Sequence, residues 1–79
     1  MELHNKIFVD FNNIDIEGRA RLNTKATFED IERLNIKLET GLKVCLADDD
    51  GLAVEGIIKF SENENIWTAK FDCNKLNNS

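Results

Sequence analysis

No proline interrupts this 79-residue chain, and it carries only four glycines. Its turns must therefore be built by Asn, Asp and Gly, and ten asparagines supply much of that material. A single histidine, His4, and two cysteines, Cys45 and Cys73, fall short of the four ligands of a structural zinc site, and no CxxC pair occurs. Two cysteines are also too few for a disulfide scaffold. No apolar run is long enough to span a bilayer. Residues 1–6 lack the basic start and apolar stretch of a secretory signal, so a cytoplasmic location with no membrane association is the expectation. Phosphate-cradling glycine patterns and the Gly-x-Ser-x-Gly elbow are missing, so no cofactor is expected and serine-nucleophile chemistry has no starting point.

What is present is acid. Fifteen Asp and Glu against ten Lys and Arg give a net charge of −5. That balance disfavours nucleic-acid backbone and anionic membrane surfaces, both of which need clustered Lys and Arg. The acids are spread along the chain and form no block that would read as an interaction tail. With 42% hydrophobic and 32% charged residues the chain is composed like a folded soluble domain. Its length allows one domain, and a chain this short buries only about 60% of its unfolded surface. The expected organisation is a frayed N-terminus at 1–5, a single β-rich domain at 6–73 and a disordered polar tail at 74–79.

Hydrophobic periodicity sets the element order. Residues 6–11 alternate, with Ile7, Val9 and Phe11 on one face. Residues 18–23 form a shorter strand with Ala20 and Leu22 inward and Arg19 and Arg21 outward. The only helical segment is 27–35. Thr27 is expected as its N-cap, Glu29 and Asp30 suit the positive end of its dipole, and Phe28, Ile31 and Leu34 would form one apolar stripe. Three strands follow, at 42–46, 52–60 and 66–71. In the second of these, Leu52, Val54, Ile58 and Phe60 share a face with Gly56, which is expected to mark a bulge or bend. In the third, Trp67 is in phase with Ala69 and Phe71 and is expected in the core. The fold class is therefore mainly β, in the order β-β-α-β-β-β: a small antiparallel barrel or a strongly curved sheet with one short helix.

The stretches FVDFNN and GRARLNT, then LETGLKVCLADDDGLAVEG and the Trp-bearing strand, resemble a family of small uncharacterised bacterial proteins. That resemblance covers most of the chain, implies no activity and supplies no functional residue. The C-terminal half also resembles the meander of SH3-like barrels: Gly41 precedes a strand with inward Val44, Gly56 falls mid-strand, and a tryptophan-bearing strand follows.

The segment Asp48-Asp49-Asp50-Gly51 invites a metal reading. A calcium loop needs oxygen ligands at alternating positions, and the position after Asp48 and Asp50 is Leu52, which has no side-chain oxygen. Asp-Gly between two alternating apolar runs is a strong hairpin signal, and the hairpin is the expectation. A second calcium mimic, residues 13–18, fails where the required later carboxylate falls on Thr24. Cys45 has no histidine implied beside it and reads as a small half-buried hydrophobe.

Four residues remain as binding candidates. Arg19 and Arg21 could grip a carboxylate or phosphate on a partner, or pair with the chain's own acids, which is the favoured outcome. Phe8 and Ile57 are apolar on the faces opposite their strands' main apolar sets, so either the helix or another chain must cover them. The functional expectation is a non-enzymatic, acidic, β-rich module that binds another protein or itself, as a homodimer for instance. The alternatives are a nucleic-acid-binding small barrel and a small enzyme or ligand-binding domain with a carboxylate site.

Overall fold

A computed structural model describes residues 6–78; residues 1–5, expected to fray, and Ser79 lie outside the described residues. The elements in chain order are β1 (Lys6–Phe8), β2 (Ala20–Arg21), α1 (Lys25–Arg33), β3 (Lys43–Ala47), β4 (Leu52–Ser61), β5 (Ile66–Phe71), a 3-10 turn (Cys73–Lys75) and β6 (Asn77–Asn78). The strands form one curled, half-barrel sheet in the order β1-β3-β4-β5-β2, with β6 pairing on β4. The strongly curved sheet with one short helix is thus the form taken. All pairings are antiparallel except β1 with β3, which run parallel with Ile7 opposite Leu46. A parallel pair needs a long crossover, and the segment between β1 and β3, with β2 and α1 inside it, provides one.

The alternating residues meet on the concave side. Ile7, Val9, Leu22, Val44, Leu46 and Ile58 are buried there, with Ala20, Val54 and Ala69 filling the gaps between them. Trp67 is half-buried against this core and meets Phe60 edge to face, with ring centroids 5.1 Å apart. Gly56 makes no bulge: its ladder is continuous, with Val44 on one side and Phe71 on the other. A Cβ there would lie 2.6 Å from Leu46 Cδ1, and Leu46 is itself fully buried. Gly56 is therefore required for close approach of the strands' side chains, because the core has no room to give.

The helix departs most from the sequence expectation. Its N-cap is Thr24, whose hydroxyl accepts from the Thr27 amide, and not Thr27. Thr27 is instead the fully buried residue of α1, while Phe28 is 54% exposed. The reason is what the helix covers. α1 lies along the outer edge of β1, where the Phe8 amide and carbonyl have no strand to pair with. The Phe8 amide donates to Asp30 Oδ2 at 2.8 Å, and the Thr27 hydroxyl donates to the Phe8 carbonyl at 2.7 Å. A polar face is needed to close an open strand edge, so the inward positions are 27, 30 and 31 rather than 28, 31 and 34. The opposite edge is closed as well. Ile14 bridges Ala20, the Asp15 amide donates to the Arg19 carbonyl and the Arg21 amide to the Asn13 carbonyl. Closed edges are how β proteins avoid pairing with other chains.

Asp30→Ala is expected to release the β1 edge. Removing the acceptor leaves a part-buried amide unsatisfied, at about 1–3 kcal/mol. Native-state hydrogen exchange should show the Phe8 amide losing more protection than the core amides of β4. Unchanged Phe8 protection would contradict this role for α1.

The segment from Asn74, expected to be disordered, is also placed by the fold. The Asp72 carboxylate accepts from the Asn74 amide at 3.0 Å and caps the 3-10 turn, and Leu76 packs against the core. β5 pairs with β4 only from Gly56 onward, which leaves an edge free at the start of β4. β6 takes that edge, opposite Leu52 and Ala53.

Candidate functional site

The aspartate run forms the β3–β4 hairpin turn. Asp48 Oδ1 accepts from the amides of Asp50 at 3.0 Å and Leu52 at 2.9 Å, so the carboxylate is used to hold the turn, and Gly51 takes the left-handed φ of +88° that the turn requires. Asp10, Asp49 and Asp50 line a shallow depression of about 270 Å³ beside this turn. Among the described residues no group of three or more His, Cys, Asp or Glu side chains is placed to hold a metal ion. Calcium or zinc is expected to leave the melting temperature where it is. A bound metal at 100 times its Kd would add about 2.7 kcal/mol. A rise with calcium that Asp48→Asn with Asp50→Asn removes would contradict the turn assignment.

The two arginines on either side of Ala20 are held by the chain's own acids. Arg19, expected to point outward, is buried with 7% exposure. The alternation of β2 does not extend to it, because the chain turns back at residues 15–18. Arg19 Nε donates to Asp15 Oδ2 at 2.9 Å, and Asp15 Oδ1 accepts from the amides of Glu17 and Arg19. Burial pushes the Asp15 carboxyl up, but the two amides and the guanidinium outweigh it and hold the carboxyl below its ordinary range. Arg21 makes a two-pronged contact with Glu64, Nε to Oε1 at 2.8 Å and Nη2 to Oε2 at 2.9 Å, and also reaches Asn13. Hydrogen bonding to Arg21 holds the Glu64 carboxyl low.

Phe8 is half-buried at the opposite end of the strand order, with its backbone clasped by α1. Ile57 stays uncovered. It sits mid-sheet on β4, 42% exposed on the convex face. Register places Lys43 of β3 on one side of it and Lys70 of β5 on the other. A groove of about 730 Å³ runs past Ile57, lined also by Glu55, Lys70, Asp72 and Lys75. Lysine stems extend the apolar surface around Ile57 while their charged ends stay in water. The structure therefore does not gather the four candidates into one site. It leaves Ile57 as the centre of a surface whose charged neighbours become apparent only through strand register. The sequence reading also missed Ile16, which stands 94% exposed at the tip of the loop that Asp15 holds. Its only sequence signal is an isoleucine between two acids in a glycine-ended loop.

No protein family, curated protein or solved structure matches this chain.

Proposed function

We propose that this chain is a non-enzymatic, acidic binding module, acting in the cytoplasm, that contacts another polypeptide or a second copy of itself through the convex face around Ile57. The observation that carries the reading is Ile57 itself, a β-branched apolar side chain exposed in the middle of a strand and centred in a groove. Apolar centres ringed by polar residues are the anatomy of protein interfaces. The groove's charges balance: Lys70 and Lys75 face Glu55 and Asp72. A polyanion gains nothing from such a surface, whereas a polypeptide with mixed charge does. Both ends of the sheet are closed by the chain's own groups, which favours contact by a face over strand addition. We also read the β3–β5 meander as SH3-like.

A second copy is the simplest polypeptide to test, because a twofold contact needs a self-complementary patch, and a surface of both acids and lysines around one isoleucine is such a patch. Sedimentation equilibrium on the order of tens of micromolar, where a micromolar Kd is visible, should give a dimer mass. Ile57→Lys should give a monomer that melts where the wild type melts, since the side chain points away from the core. A monomeric wild type removes the second copy and leaves a different polypeptide as the partner. An Ile57→Lys chain that unfolds would place Ile57 in the monomer's own core and remove the reading.

A further inference from the structure

A second surface lies between the loop at 15–19 and the β4–β5 turn. There a cleft of about 400 Å³ is lined by Glu17, Arg19, Lys59, Phe60, Ser61 and Glu62, with Asn63 at its rim. Two of these side chains are buried with donors that meet no acceptor within hydrogen-bond distance among the described residues. The Arg19 side chain is 9% exposed. A guanidinium offers five N–H donors. The Nε donor meets Asp15, and Nη2 lies 3.6 Å from Glu17 Oε2, too far for a hydrogen bond. Nη1 has no acceptor among the described residues. Ser61 is 3% exposed; its oxygen accepts from the Glu64 amide at 3.3 Å, and its own hydrogen has no acceptor among the described residues. Buried donors without acceptors are uncommon in folded proteins, and two on one cleft call for an explanation.

We propose that this cleft binds a carboxylate presented by a partner polypeptide, held by the Arg19 guanidinium, the Ser61 hydroxyl and the Lys59 ammonium. This rests on the reading of the chain as a polypeptide-binding module and adds a second contact with stated chemistry. Geometry and charge together favour the smaller anion. Arg19 and Lys59 share the cleft with Glu17 and Glu62, and Asp15 already engages Arg19 from behind, so binding there rests on the buried donors and not on a surplus of positive charge. A dianionic phosphate meets about twice the repulsion of a monoanion from these carboxylates. A singly charged, planar carboxylate matches the flat guanidinium fork. Phe60 gives the cleft an apolar wall, and Ile16 projects from the same loop, so the residue carrying or flanking the carboxylate is apolar. The loop is already fixed. Asp15 Oδ1 holds the Glu17 and Arg19 amides, and the Asp15 carbonyl accepts from the Gly18 amide. A prefixed loop loses little freedom on binding, which preserves affinity.

The test is a titration of the isotope-labelled full chain, followed by amide and arginine Nε–H resonances. The probes are N-acetyl-leucine, its methyl ester and inorganic phosphate. N-acetyl-leucine should give saturable shifts at the Arg19 Nε–H and at the amides of Ser61, Glu62 and Asn63, and the ester and phosphate should not. Lys59→Glu, an outward-facing change that leaves the Asp15–Arg19 pair intact, should weaken binding at least about tenfold through like-charge repulsion. Ser61→Ala should weaken it about threefold by removing one donor. Absent shifts, or equal shifts with the ester, overturn the site. Stronger shifts with phosphate overturn the choice of carboxylate. A partner that cross-links at position 57 while the cleft stays silent sinks this inference alone. A cleft that binds N-acetyl-leucine while no polypeptide contacts the chain anywhere sinks the polypeptide-binding reading instead.

Discussion

Asp15→Ala lowers stability by about 3 kcal/mol, because it leaves the Arg19 charge buried with only the exposed Glu17 carboxylate, 3.6 Å away, as counter-ion. A chain of 79 residues is stable by roughly 4–12 kcal/mol, so this one change removes a large share of it. The effect exceeds that of an ordinary ion pair for a geometric reason. Asp15 is 6% exposed, and its two oxygens accept from two backbone amides as well as from Arg19 Nε. Losing the carboxylate therefore also frees the amides that fix the loop closing the β2 edge. Denaturant melts of the two chains measure the difference. Glu64→Gln, by contrast, breaks an exposed pair and should cost well under about 1 kcal/mol.

The same groups set the response to acid. Asp15, Asp30 and Glu64 all have carboxyls held below their ordinary range in the folded chain. A depressed folded-state value means that the unfolded chain binds protons first. Stability from these groups is therefore fully present above the ordinary carboxylate range, and it is lost as pH falls through that range toward the folded-state values. The wild type should melt progressively lower as pH drops below about 4, the ordinary carboxylate value. The Asp15→Ala chain should show a shallower slope. Equal slopes would mean that Asp15 is not held low.

Trp67→Ala is expected to cost about 3 kcal/mol, the lower end for deleting a large aromatic from a core, since Trp67 is half-buried. The contributions are its contact with the buried cluster and its edge-to-face packing on Phe60, which is worth about 0.5–1.5 kcal/mol beyond burial. Phe60 and Trp67 stand opposite each other across the antiparallel β4–β5 ladder, so the ring pair ties the two strands together. The loss should appear as a lower denaturant midpoint with an unchanged slope. An unchanged midpoint would move Trp67 out of the core and onto a contact surface.

The bounds of strand β5 were legible, and those of β4 almost so, because a period of two in β-branched and aromatic residues is a local property. The parallel pairing of β1 with β3 was not legible, since it is decided by what the crossover contains. The helix misled for a related reason. Phe28, Ile31 and Leu34 are the hydrophobic choice for an inner face, but α1 closes a strand edge, and hydrogen-bonding groups at Thr27 and Asp30 do that better than carbon. Ile57 was legible as an apolar residue out of phase with its strand. The lysines that flank it were not, because register across β3, β4 and β5 is a tertiary fact. Arg19 was placed on the wrong side because a two-residue strand gives alternation nothing to act on.

The central claim is that a polypeptide sits on the face around Ile57. A photo-reactive phenylalanine analogue at position 57 tests it in the cell of origin, with the same analogue at Glu29, an exposed position on α1, as the control. Irradiation should yield a discrete covalent adduct from position 57, with the mass of two copies or of one copy and a partner, and none from position 29. No adduct at 57, or adducts of equal yield and pattern at both positions, would contradict the account.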